Sequence, residues 1–162
     1  MSAFAALLAA SLSAASPAQA EPASSIGAEA ARGFQSICLA NRSAGAAAAL
    51  AAAHALPGAV VHPDIPVGRG VSLKIVGAAP LEYAVREERR GFACMVMFVG
   101  DESQAQAAVA ALDAASGAAP AGSRNPGRST YDWTFAGSRH KIRLFARYPR
   151  RGRVLIQLEV KE

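Results

Sequence analysis

LEYAVREERRGFACMVMFV, residues 81–99, decides how the rest of the chain folds. Leu81, Tyr83 and Val85 alternate with Glu82, Ala84 and Arg86, the period of a strand with one wet face. After the charged turn Glu88-Arg89-Arg90-Gly91, the residues Phe92, Cys94, Val96 and Phe98 alternate with Ala93, Met95, Met97 and Val99. This second strand has no polar side chain on either face, so it belongs in the middle of a sheet, covered on both sides. Its length and the flanking Gly91 and Gly100 favour a strand over a buried helix. Gly91 supplies the positive φ that a tight turn needs.

Upstream of the hairpin, a helix from about Ser25 to Asn41 sets Ile26, Ala30, Phe34, Ile37 and Cys38 on one stripe. Ser43 is placed to cap a second helix, roughly Ala44–Ala55, which Pro57-Gly58 ends. A Pro/Gly loop to Gly70 and a strand Val71–Val76 complete the first half. Downstream, Asp101 with Gln104 resembles a capping box, and Ala105, Ala108, Val109 and Leu112 form a helical stripe. A second Pro/Gly loop, Gly117–Arg128, precedes a strand Tyr131–Ala136 and a hairpin of Lys141–Tyr148 with Arg153–Val160.

Helix, loop and three strands therefore occur twice, with Arg89-Arg90-Gly91 and Arg150-Arg151-Gly152 at matching hairpin turns. The pattern predicts an α+β domain: an antiparallel sheet of about six strands with two to three helices on one face, built as two αβββ halves. Alternation assigns Val71, Leu73 and Ile75 to the helix side. The same holds for Tyr131, Trp133 and Phe135, for Ile142, Leu144 and Ala146, and for Val154, Ile156, Leu158 and Val160.

Residues 1–20, MSAFAALLAASLSAASPAQA, read as a signal peptide: an apolar run too short to span a bilayer, then Ala18-Gln19-Ala20 before Glu21. The run lacks a preceding Lys or Arg, and no Cys follows it to take a lipid. The mature chain, residues 21–162, is then a single domain without a transmembrane segment, periplasmic or secreted after cleavage behind Ala20. In an oxidising compartment its two cysteines, Cys38 and Cys94, are expected to form a disulfide, since both face the core.

Chemistry is sparse. His54 ends a helix, His62 lies in a His-Pro-Asp loop, and His140 sits between Arg139 and Lys141. None has metal-ligand spacing, and nucleophile elbow, paired carboxylates and phosphate loop are all missing. No catalytic residue, metal or cofactor is predicted. An enzyme assembled from His62, Asp64 and His140 is the alternative.

The strongest asymmetry is charge. Seven bases, Arg139, Lys141, Arg143, Arg147, Arg150, Arg151 and Arg153, fall in a stretch without an acid. Lys141, Arg143, Phe145 and Arg147 share the outward side of one strand, with Arg153 at the start of its neighbour, and these five form the candidate anion- or partner-binding set. Glu82, Glu88 and Glu159 are the candidate cross-strand partners that would neutralise them. The leading function is a non-enzymatic exported domain that binds an anionic envelope component or an acidic protein. Nucleic acid is not expected, given the compartment and the shortage of exposed aromatics beside Phe145. After export, N-terminal mass analysis is expected to find the protein beginning at Glu21; retention of Met1 would contradict the signal reading.

Overall fold

A computed structural model describes residues 25–68, 70–116, 121–125, 128–134, 141–147 and 152–161, with side chains described over 25–68, 70–114 and 152–160. Residues 1–20, expected to be a signal peptide, and Phe135, His140, Arg150 and Arg151 lie outside the described residues.

The fold is α+β, an antiparallel sheet with three helices. The helices are α1 (Ile26–Phe34, continued by a wide π turn Gln35–Leu39), α2 (Ala46–His54) and α3 (Glu102–Ser116). Six long strands carry the sheet: β3 (Val71–Ala78), β4 (Leu81–Glu88), β5 (Gly91–Val99), β7 (Arg128–Thr134), β8 (Lys141–Arg147) and β9 (Arg153–Lys161). Three short ones, β1 (Val60–Val61), β2 (Ile65–Gly68) and β6 (Ala121–Asn125), fall in the two stretches expected to be Pro/Gly loops. They line the outer edges, β1 and β2 on β3 and β6 on β7.

The long strands run β3-β4-β5-β9-β8-β7, so each half is a meander and the halves join through their last strands. The expected hairpin is present, with Glu88 opposite Gly91 and Gly91 at φ 109°. Cys94 lies between Val85 of β4 and Leu158 of β9. Phe92, Cys94, Val96 and Phe98 enter the main core with Leu81, Tyr83 and Val85, with Val154, Ile156, Leu158 and Val160, and with the helices.

The assignment of Val71, Leu73 and Ile75 to the helix side is overturned. Val76 is the buried core residue of β3, while Leu73 and Ile75 pack against Ala84, Ala93 and Met95 on the opposite side. The cause is the two-residue turn Ala79-Pro80, which pairs Ala78 with Leu81. Paired residues share a face, so Ala78 and Val76 follow Leu81 and Tyr83 toward the helices.

Ser43 is likewise not the cap of α2; Gly45 occupies that position, with no side-chain hydrogen bond. At α3 half of the capping box forms. Asp101 Oδ1 accepts from the Ser103 hydroxyl at 2.6 Å and the Gln104 N–H at 3.0 Å. These bonds, that of Ser103 first, hold the Asp101 carboxyl below its ordinary pKa. The Gln104 side chain turns away and accepts from the Gly27 N–H at 3.1 Å, satisfying an otherwise orphaned amide of α1. Gln35 Nε2 adds a second tie by donating to the Ala111 carbonyl at 3.3 Å.

The α1–α3 contact depends on Gly27, where a Cβ would stand 1.8 Å from the Gln104 carbonyl oxygen. Gly27→Ala is therefore expected to force the helices apart and cost about 1–3 kcal/mol. A thermal melt should fall by several degrees, whereas an unchanged midpoint would refute the close approach.

Cys38, in the π turn, is disulfide-bonded to Cys94, with Cα atoms 5.5 Å apart and both residues fully buried. The bond ties the first helix to the central strand across 56 residues of sequence. Chain-entropy reasoning gives it about 4 kcal/mol. The Cys38→Ala/Cys94→Ala variant is expected to unfold at clearly lower urea than the parent, and equal midpoints would count against that contribution.

Candidate functional site

The helices occupy one face of the sheet, and alternation leaves the other to the remaining side chains. The centre of this open face is apolar. Ala93, Ala84 and Met95 are buried there, shaded by the half-buried Leu73, Ile75, Met97 and Leu155. Ala84, expected on a wet face, is only 1% exposed because these larger neighbours surround it.

Backbone register sorts the charges into rows across the strands. Lys141 is opposite Glu159, and Arg143 is opposite Asp132 on one side and Gln157 on the other. Arg147 is different: it is opposite Arg128 on β7 and Arg153 on β9. Three arginines thus occupy one row on three adjacent strands, at an interstrand spacing of about 4.8 Å. The next row holds Phe145, opposite Leu155, which is opposite Met97. The structure therefore brings all five sequence-predicted residues to neighbouring register positions on two strands.

The neutralising partners divide in the same way. Glu88 is held by Arg86 of its own strand, which donates Nε–H at 3.1 Å and a second guanidinium N–H. Glu159 accepts from Gln157 Nε2 at 2.9 Å and stands opposite Lys141. Like charges directly opposed destabilise a sheet, and the arginine row is where register supplies no acid.

One depression adjoins the end of this row at Arg153, and a second lies beyond it. The smaller, about 120 Å³, is lined by Pro80, Glu82, Met97, Phe98, Val99 and Arg153. The larger, about 360 Å³, is lined by Gly58, Val60, His62, Gly77, Ala79, Pro80, Leu81 and Glu82. Pro80 and Glu82 belong to both, so the two are neighbours along the β3–β4 turn. Their walls are mostly apolar, the usual character of a small-molecule groove.

Of the dispersed enzyme candidates, His62 lines the larger depression, while Asp64 is paired with Lys74 at 3.5 Å and takes no part in its wall. Among the described residues no three His, Cys, Asp or Glu side chains come together as a metal site.

Sequence reasoning missed Arg128 and Asp132. Arg128 was placed at the end of a loop, although it begins β7. Only strand pairing reveals that it flanks Arg147; composition gives no hint of it. Comparison with protein-family models, curated proteins and solved structures found no match.

Proposed function

We propose that the protein is an exported, non-enzymatic binding domain that engages an anionic envelope component through the open face of its sheet. The observation that carries this reading is the arginine row, Arg128, Arg147 and Arg153, with Arg143 and Lys141 farther along β8 beyond Phe145. Cations that lack an opposed acid gain more from an external anion than cations already matched within the sheet.

Export is part of the same proposal. It rests on the cleavage pattern at Ala18-Gln19-Ala20 and on the Cys38–Cys94 disulfide, a bond that persists in oxidising compartments. No helix among the described residues is long and apolar enough to cross a membrane. Residues 1–20 carry no charge, so the mature chain keeps the formal net charge of +5.

The mature chain is expected to be retained on dextran sulfate at low salt and released at high salt, as the screening length falls from about 30 Å at 0.01 M to about 3 Å at 1 M. Arg143→Ser/Arg147→Ser should weaken retention while leaving the melting temperature nearly unchanged, because surface cations contribute little to folding. A folded double variant that binds like the parent would refute the basic face, and an unfolded one would make these arginines structural.

A further inference from the structure

Resting on the reading above, we infer that the ligand is an anionic lipid, its phosphate on the arginine row and its acyl chain along the apolar groove that begins beside Arg153. Two independent features meet at one end of the open face. The first is the row Arg128–Arg147–Arg153, three cationic positions at strand spacing without an opposed acid. A phosphate monoester or diester presents several acceptor oxygens to such a row, and guanidinium groups are the residues of choice for them.

The second feature is the pair of depressions running from Arg153 past Met97, Val99 and Pro80 to Val60. A free phosphate or a sulfated sugar would make no use of this apolar wall. Val99 and Val60 are 68% and 58% exposed, an arrangement that favours an apolar occupant over water. Glu82, shared by both depressions, sets the direction. Its carboxylate repels an anionic head from the groove and leaves the arginine end as the place for the phosphate. The chain then lies across the β3–β4 turn toward His62.

The test uses the mature chain with phosphatidylcholine vesicles, with and without phosphatidylglycerol, and dextran sulfate as a polyanion that has no acyl chain. The parent should co-sediment with the phosphatidylglycerol vesicles only. Arg128→Gln/Arg147→Gln should lose about twentyfold to thirtyfold in that partitioning. Lys141→Gln/Arg143→Gln, equal in charge removed but opposed by Glu159 and Asp132, should change it by no more than about threefold. Val60→Asn/Val99→Asn should weaken vesicle binding and leave retention on dextran sulfate unaltered.

Circular dichroism and a melt confirm that each variant is folded. Should Arg128→Gln/Arg147→Gln fail there, Arg153→Gln alone carries the test, with about a fivefold loss expected. Equal losses in the two arginine and lysine pairs would mean that binding follows net charge, which overturns the row but not the proposed function. Binding to dextran sulfate without binding to vesicles would overturn the lipid and point to an acidic glycan. Binding to neither would overturn both readings.

Discussion

Cys94 is where the structure is pinned. On one side it pairs with Val85 of β4, on the other with Leu158 of β9, and its sulfur is bonded to Cys38 in the helix layer. Both halves of the sheet take their register from this strand. A slip of one residue against either neighbour would turn the whole Phe92-Cys94-Val96-Phe98 set to the wrong face. It would also carry the sulfur away from its partner, so the disulfide and the hydrophobic pattern enforce the same pairing. The interaction is covalent at one point and hydrophobic along its length.

From that constraint the location of the charges follows. With the helices committed to one face, a base-rich strand such as β8 must direct alternate positions to the other face. Ile142, Leu144 and Ala146 stand opposite Leu158, Ile156 and Val154, and these three β9 residues are fully buried in the main core. The intervening Lys141, Arg143 and Arg147 therefore share register positions with the open side. Burying several guanidinium groups without partners would cost several kcal/mol each, far beyond what a domain of this size can absorb. At a solvated face such groups would repel only weakly.

The central hairpin was legible in the sequence because two strong signals coincide there: strict alternation and a glycine at the turn. The disulfide was legible because both cysteines lie on apolar stripes. Leu73 and Ile75 were misread for an identifiable reason. VSLKIV alternates convincingly, but alternation alone does not say which face is which. The length of the Ala79-Pro80 turn does, by pairing Ala78 with Leu81. The edge strands β1, β2 and β6 were hidden by glycine, proline and serine, residues depleted from strands in general. Missing β6 also displaced the start of β7, and with it Arg128. The candidate site was thus half visible: the cations on β8 and β9 from sequence, their rows only from pairing.

The edge formed by β1 and β2 is poorly suited to pairing with another chain. A sheet with an open edge can recruit an extended segment by adding a strand. Here β1 and β2 are short, they are separated by a break at His62-Pro63-Asp64, and the register against β3 shifts between Pro66 and Gly68. Pro63 and Pro66 each remove an amide donor along that edge. Asp64 and Lys74 add an exposed ion pair beside it. A strand docking there would meet missing donors and a broken register, so the edge is guarded. The proposed binding is assigned instead to the open face, where the apolar pair Met97 and Leu155 adjoins the row that contains Arg153.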